Sequence, residues 1–178
     1  MTYPEWTYFP TSAPPPGWVQ DLVGVVGSHE DEIDSRKHRM GSDDVLKVVA
    51  GDLKALGYAL ELSKARADKI RRPVLFGPQG AEVVAYEIDA FHDEIGVVLE
   101  IEAGRGHLGN ALFRDLVRTS LIVGAKYLAI GMCLEYRFKS GGKVMKSADY
   151  AWALNEVGAI YASGRLRLPF EGVLVFGY

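Results

Sequence analysis

Three carboxylates in the middle of the chain have the residue types and the spacing of a cation-binding site. Glu100 and Glu102 stand two residues apart in the apolar run 95–102, and Asp89 ends the preceding run 82–90. Both runs are rich in β-branched and aromatic residues, and a short turn around His92 and Asp93 separates them, which predicts two strands of a hairpin. Such a hairpin would bring Asp89 close to the two glutamates.

The second of these strands is apolar on both faces except at its two glutamates. Alternate side chains on a strand share a face and lie about 7 Å apart. Val98, Glu100 and Glu102 are therefore expected on one face, and the other face is expected to carry Val97, Leu99 and Ile101. Burying two carboxylates beside Val98 is costly unless a cation or a hydrogen-bond donor compensates for it. Hard oxygen ligands of this kind favour Mg²⁺ or Mn²⁺.

This pattern resembles the PD-(D/E)XK, restriction-endonuclease-like nuclease superfamily. Its motif is an Ile-Asp dipeptide on one strand, here Ile88-Asp89, and Glu-x-(Lys, Glu or Gln) on the next, here Glu100-Ile101-Glu102. The acidic last residue is similar to the BamHI and BglII type of type II restriction enzymes. The resemblance covers residues 84–133, less than a third of the chain, and includes the helix and the apolar strand that follow the motif.

The resemblance implies an α/β, restriction-endonuclease-like fold with a central mixed sheet flanked by helices. It also implies an Mg²⁺- or Mn²⁺-dependent endonuclease that hydrolyses phosphodiester bonds of double-stranded DNA and acts as a homodimer. Asp89 and Glu100 would bind the metal with the backbone carbonyl of Ile101. Glu102 would orient or deprotonate the attacking water, and the metal would neutralise charge in the transition state.

The chain departs from the commonest form of the motif at two positions. Ile88 replaces the proline, which is a frequent variation, and Glu102 replaces the lysine. A glutamate cannot supply the lysine's positive charge, and the nearest substitutes in the sequence are Arg105 and His107. In the family an acidic residue from an earlier helix often completes the site, and the candidates for it are Glu30 and Glu61. Glu87 shares a face with Asp89 and is a further auxiliary candidate.

Charge is distributed unevenly along the chain, although the net charge is only −3. Residues 82–106 carry 7 acidic and 1 basic residue, whereas residues 58–81 carry 2 and 5 and residues 107–178 carry 5 and 9. An acidic centre between basic segments suits a metal site beside a phosphate-binding surface. The candidate DNA-binding residues are Arg36, Lys37, Arg39, Lys64, Arg66, Lys69, Arg71, Arg72, Arg137, Lys139, Lys143 and Lys146, the last four in a basic loop around Ser140-Gly141-Gly142.

The other elements follow from periodicity and end signals. Residues 1–17, rich in proline and aromatic residues, are expected to form an arm that lies on the domain or contacts a second copy, and residues 18–178 form a single domain. Helices are expected at 18–33, from an N-cap at Ser42 to Gly57, at 108–123, and from a cap at Ser147 to 162. The helix at 108–123 would bury Leu112, Phe113, Leu116, Val117 and Leu121. Further strands are expected at 58–62, 127–133 and 173–178.

Composition places the chain among ordinary globular proteins, with 48% hydrophobic and 24% charged residues. No apolar run approaches the roughly 20 residues of a membrane span, and the first residues lack the pattern of a signal peptide. Cys133 is the single cysteine, expected to be buried, so a cytoplasmic protein without disulfides is predicted. Two other functions stay open: a non-catalytic DNA-binding or regulatory protein with this fold, and a carboxylate-based hydrolase that acts on another substrate without metal.

Overall fold

The computed structural model describes residues 2–61, 69–104 and 109–178. Within them the strands are β1 (Glu5–Phe9), β2 (Ala59–Leu60), β3 (Ile70–Phe76), β4 (Glu82–Ile88), β5 (Ala90–His92), β6 (Val97–Glu102), β7 (Tyr127–Met132), β8 (Tyr136–Ser140), β9 (Lys143–Ser147) and β10 (Gly172–Gly177). The helices are α1 (Gly17–Ser28), α2 (Glu30–Ile33), α3 (Ser42–Ala55), α4 (Ala111–Ser120) and α5 (Asp149–Ser163). None of these helices is long and apolar enough to cross a membrane.

Six strands form a mixed central sheet in the order β1-β10-β7-β6-β5-β2. β6, β7 and β10 run parallel to one another, and the pairs at both edges are antiparallel. Apart from Glu100 and Glu102 of β6, the three parallel strands are apolar on both faces, as expected of strands that are covered on both sides. Helices α1 and α3 pack on one face, where Ile101 and Leu174 lie, and α4 and α5 pack on the other, where Val98 and Val175 lie. The predicted α/β fold with a mixed sheet flanked by helices is confirmed at this level.

The N-terminal arm contributes an edge strand to the sheet. β1 pairs antiparallel with β10 in the register Trp6↔Phe176, and Pro4 and Pro10 stand outside the paired segment, where a missing N–H does no harm. Tyr8 and Phe9 of this strand are buried, and Trp6 is partly buried.

The described parts of the segment between β2 and β5, Glu61 and residues 69–89, lie outside the central sheet as an insertion. The chain exits after Leu60 and returns at Ala90, and these two residues are register partners in the β2–β5 pair. Between them β3 and β4 form a separate two-stranded ribbon. The prediction that 82–90 pairs with 95–102 was therefore wrong for most of its length: β4 pairs with β3, helped by ion pairs such as Arg71–Glu82 (3.0 Å), and only β5 pairs with β6.

The basic segment after β7 also forms a ribbon. β8 and β9 pair antiparallel, and the two-residue turn between them consists of Gly141 and Gly142, both with positive φ (56° and 77°). A two-residue turn with positive φ at both positions matches the twist of the paired strands and favours glycine. The loop predicted here is thus an ordered hairpin.

Several helix boundaries differ from those predicted. The helix expected at 18–33 is interrupted at His29, between α1 and α2. The residue before α3 is Gly41, so Ser42 is the first helical residue and not the N-cap. Ser147 belongs to β9, and its hydroxyl bonds the Asp149 carboxylate (2.6 Å) at the start of α5.

The predicted inward face of α4 was correct in part. Leu112 and Leu116 are buried, but Val117 and Leu121 are 59% and 50% exposed. Asp115 and Thr119 are buried in their place, because the stripe that faces the sheet follows positions 112, 115, 116 and 119.

Candidate functional site

The carboxyl-terminal end of β6 borders a cleft of about 490 Å³. Its other walls come from the junction between β4 and β5, the first residues of α3 and one face of α4. The acidic residues that line it are Glu61, Glu87, Asp89, Glu100, Glu102 and Asp115, and the basic ones are Arg114 and Arg118. The three carboxylates predicted to act together therefore share one cleft with Ile101.

Asp89 is fixed at the single residue between β4 and β5. Its carboxylate accepts a hydrogen bond from the backbone N–H of Ile101 (2.8 Å), and its carbonyl accepts one from the N–H of Glu61 (2.8 Å). Because Ala90 pairs with Leu99, Asp89 is set beside Glu100. The sequence placed Asp89 within a continuous strand, whereas the break in the strand at Asp89 is what frees its side chain to bond across to β6.

Glu100 and Glu102 project from β6 on the face that carries Val98, as the alternation of the sequence predicts. Val97, Leu99 and Ile101 pack on the opposite face against α1 and α3. The glutamates instead face the α4 side, where the Glu102 side chain is only 13% exposed. Because these apolar side chains hold β6 in one orientation and side chains alternate along a strand, both glutamates must project from the opposite face.

Three carboxyl groups of this cleft, those of Asp89, Glu100 and Glu102, hold their protons more tightly than usual. Burial, followed by the charges of Glu61 and Asp115, raises the pKa of Asp89 to about 6, against the N–H of Ile101, which lowers it. Burial and the neighbouring Asp89 raise the pKa of Glu100 well above its ordinary value. Burial and the Asp115 carboxylate raise the pKa of Glu102 to about 7. A bound cation would relieve all three repulsions.

Asp115 is a site residue that the sequence did not reveal. It is 3% exposed and shares a hydrogen bond with Glu102. Arg114 bridges the two acids: its Nη2 donates to Glu102 Oε1 (2.5 Å) and its Nε to Asp115 Oδ1 (2.9 Å). The sequence contains one indication of this role, because Asp115 lies in the helical stripe of Leu112 and Leu116. The apolar residues Val117 and Leu121, however, suggested that a different face of the helix is buried.

The auxiliary acids divide into two groups. Glu61 and Glu87 line the cleft, and Lys69 pairs with both, at 3.9 Å from Glu61 and with a short contact to Glu87. Glu30 lies on α2 outside the cleft, where its carboxylate is 3.4 Å from the Lys37 ammonium. Arg105 and His107, the predicted substitutes for the lysine, lie outside the described residues.

Several of the basic candidates are engaged in ion pairs with nearby acids. Arg36 bonds Asp34 (2.9 Å), Lys37 approaches Asp31 (3.4 Å), Arg72 bonds Asp93 (2.8 Å) and lies 4.4 Å above the Phe91 ring, and Lys146 bonds Glu135 (2.8 Å). Arg71 pairs with Glu82, as noted above, and Arg39 is exposed. Lys64 and Arg66 fall outside the part of the chain that the structure describes.

Lys139 and Lys143 differ from the other candidates. Both are exposed near the tip of the β8–β9 ribbon, and neither makes an ion pair with any of the described residues. The base of this ribbon adjoins the cleft: the Tyr136 ring occupies the space where a Cβ of Gly104 would lie, two residues beyond Glu102. Arg137 donates to the Arg36 carbonyl (2.7 Å), which secures the base from the other side.

A buried layer supports the end of β6 from below. The hydroxyl of Tyr178 donates to the Glu102 carbonyl (3.1 Å), and the thiol of Cys133 contacts the same hydroxyl (3.6 Å). Cys133 is 4% exposed, as predicted for a small buried side chain, and burial raises the pKa of its thiol to about 11. This cysteine therefore supports the backbone and has no nucleophilic character.

The cleft offers carboxylate oxygens as ligands for the divalent metal that the family resemblance implies. Among residues 2–61, 69–104 and 109–178, no three His, Cys, Asp or Glu side chains converge into a ready-made metal cluster. Mg²⁺, however, commonly uses one or two carboxylates and keeps several waters. Asp89 and Glu100 supply such a pair, partly buried and mutually repelling, beside a cleft with room for water. These residues fit a partly hydrated divalent cation.

No family model, curated protein or solved structure matches the chain.

Proposed function

We propose that the protein is a divalent-metal-dependent endonuclease that hydrolyses phosphodiester bonds of double-stranded DNA. The observation that carries the proposal is the group of Asp89, Glu100 and Glu102 in one cleft, each with a raised pKa. Buried acids that repel one another are costly to the free protein, and such costs concentrate at functional sites. Along the central sheet the chain order is β2-β5-β6-α4-β7, with Asp89 immediately before β5 and Glu100 and Glu102 on β6, which is consistent with a restriction-endonuclease-like fold.

In this proposal each side chain has a distinct task. Asp89 and Glu100 hold Mg²⁺ or Mn²⁺ with the help of the Ile101 carbonyl. Held there, the cation would supply positive charge to neutralise the charge that develops on the phosphate. Glu102, with a pKa of about 7, can accept a proton from the attacking water near neutral pH. The N–H of Ile101 keeps the Asp89 carboxylate oriented towards β6.

The β8–β9 ribbon is the proposed DNA-contacting element. A two-stranded ribbon fits the major groove of B-DNA, and its tip presents Lys139 and Lys143. Its base lies against Gly104 beside the cleft, so a duplex held by the ribbon would run past the carboxylates. Cutting of both strands would then require a homodimer, as the resemblance implies.

A non-catalytic DNA-binding role is favoured by one observation. Arg114 forms an ion pair with Glu102, the residue at the position where the family has its lysine. A protein that uses the cleft only to position an arginine would bind duplex with or without divalent metal, and its affinity would not depend on Asp89.

Metal binding and DNA cleavage measured on the same samples separate these functions. We expect calorimetry to detect Mg²⁺ and Mn²⁺ binding by the wild type and by the exposed control Asp21→Asn, and little binding by Asp89→Asn. Plasmid cleavage should follow the same order and stop in EDTA. Absence of cation binding by the wild type, with or without DNA, would refute the metal site. Hydrolysis that persists in EDTA would indicate a metal-independent carboxylate hydrolase.

A further inference from the structure

We propose that Arg114 is an exchangeable counter-ion, which neutralises Glu102 in the free protein and moves to a substrate phosphate when DNA enters the cleft. This inference rests on the proposed function and deepens it. It assigns to α4 the positive charge that Glu102, in place of a lysine, cannot provide. In this way the group that balances the charge of Glu102 in the resting site is the same one that later contacts the substrate.

The contacts of Arg114 identify it as the mobile partner. Its side chain is 47% exposed, whereas Glu102 is 13% exposed and Asp115 is 3% exposed. Both carboxylates are fixed by buried elements, the end of β6 and the inner stripe of α4. Because Arg114 is long and half-exposed and is also held to Asp115 through Nε, its Nη2 can move from Glu102 to a phosphate while the buried Asp115 stays paired.

The present pairing describes a resting site. An incoming phosphodiester offers the guanidinium an alternative, because the planar fork of arginine binds two phosphate oxygens at once.

Arg118, one helical turn further along, marks the same edge of the cleft but is held in place. Its Nη2 donates to the Glu87 carbonyl (3.3 Å), and its guanidinium lies 4.8 Å above the Tyr86 ring. Neither partner carries a charge that a phosphate would replace. The two arginines thus form a basic rim on α4, and Arg114 is the member whose partner changes.

A double-mutant cycle on duplex affinity tests the exchange without metal. In EDTA, by fluorescence anisotropy, we expect Arg114→Gln to weaken binding of a short duplex about fivefold, the strength of a half-exposed ion pair. Glu102→Gln should tighten it severalfold, because it releases Arg114. In the double variant the gain from Glu102→Gln should vanish, which is the non-additivity of a shared contact. Arg165→Gln, an exposed arginine outside the cleft, is the matched control.

Calorimetry with Mg²⁺ alone gives a second readout. Removal of Arg114 frees Glu102 and deletes a nearby positive charge, so Arg114→Gln should bind Mg²⁺ about three- to fivefold more tightly while it cleaves DNA roughly 100-fold more slowly. Arg114→Lys should restore part of the cleavage. A purely structural role predicts that Mg²⁺ binding and cleavage fall together.

The outcomes separate this inference from the proposed function. A wild type that binds Mg²⁺ and cuts DNA, with additive effects of the two substitutions, would overturn the exchange and leave the nuclease standing. A wild type that neither binds Mg²⁺ nor cuts, but shows the non-additive cycle, would overturn the nuclease and leave the exchange. A wild type without affinity for duplex would overturn both.

Discussion

The backbone N–H of Ile101 donates a hydrogen bond to the carboxylate of Asp89 at 2.8 Å. The residue between the two glutamates of β6 therefore also orients the third acid of the group. Its side chain points to the opposite face and packs in the core with α1 and α3. Any change that shifts Ile101 should consequently disturb all three carboxylates at once.

We expect Asp89→Asn to stabilise the protein at alkaline pH when no divalent cation is present. The pKa of this carboxyl is raised to about 6, so the folded wild type loses stability as pH rises from about 4 to 6, where the unfolded chain is already ionised. Asparagine removes that penalty, which corresponds to about 1–3 kcal/mol at pH 8.

Urea unfolding in EDTA at pH 4 and pH 8 measures this difference, which should shrink at the lower pH. Mg²⁺ should then stabilise the wild type at pH 8 and leave Asp89→Asn unchanged. A variant less stable than the wild type at pH 8 would show that the carboxylate is compensated within the protein itself.

Gly104→Ala should destabilise the protein and displace the base of the β8–β9 ribbon. Gly104 has φ of 86°, and an added Cβ would lie 2.0 Å from the Tyr136 ring. Left-handed strain and the displaced ring together should cost about 1–3 kcal/mol.

The matched control is Gly51→Ala in α3, where a Cβ meets nothing within 4 Å. There the same substitution should stabilise the protein by about 0.5–1 kcal/mol. Thermal unfolding compares the two, and equal effects would mean that Tyr136 is free to move away.

The double substitution Lys139→Ala/Lys143→Ala should weaken DNA binding and reduce its dependence on salt. Each lysine that neutralises a phosphate contributes about one unit to the slope of log affinity against log salt, so the slope should fall by about two. Lys47→Ala/Lys54→Ala, two exposed lysines of α3, serves as the control. An unchanged slope in the ribbon variant would place the duplex on another surface.

The His29 contacts should stabilise the protein in acid and neutral solution but not in alkali. His29 bridges Glu32 and Asp52, each at 2.8 Å, and its hydrogen bonds to Glu32 and then Asp52 raise its pKa. The stabilisation is therefore complete below the unfolded pKa of about 6.5 and is lost as pH rises through the folded pKa.

Unfolding of His29→Gln between pH 5.5 and pH 9 tests this sign. The loss relative to the wild type should be about 1 kcal/mol or less at pH 5.5, because both partners are largely exposed, and smaller at pH 9. Lys47→Gln, which breaks an ion pair that contains no histidine (Lys47–Asp44, 3.1 Å), is the control and should show a constant difference.

The sequence predicts the carboxylate strand well because its information is local. In β6 the period of two is unbroken, and two glutamates in an otherwise apolar run identify the face they share. The same local reasoning succeeds for β7 and β10, which are apolar throughout and buried in the sheet.

Features that depend on distant partners were missed. Residues 82–90 were predicted to form one strand, but β4 pairs with β3 and β5 with β6, and periodicity does not show which partner a strand takes. On α4, Val117 and Leu121 suggest a buried face as well as Leu112 and Leu116 do. Which face of α4 is buried depends on Asp115. The cost of burying this carboxylate is offset by its ion pair with Arg114 and by its hydrogen bond with Glu102, which lies on β6 and not on α4.

Leu60 and Ala90, which stand before and after the insertion that carries the β3–β4 ribbon, are register partners in the central sheet. The insertion could therefore be exchanged as a unit. Because the two ends of the insertion meet across one strand pair, a short turn could join them without altering the rest of the sheet. Yet the first and last residues of the insertion are Glu61 and Asp89, which line the cleft and are joined by a backbone hydrogen bond. Exchange of this unit, in evolution or in engineering, would therefore replace the ribbon freely but would keep the function only if both boundary residues were retained.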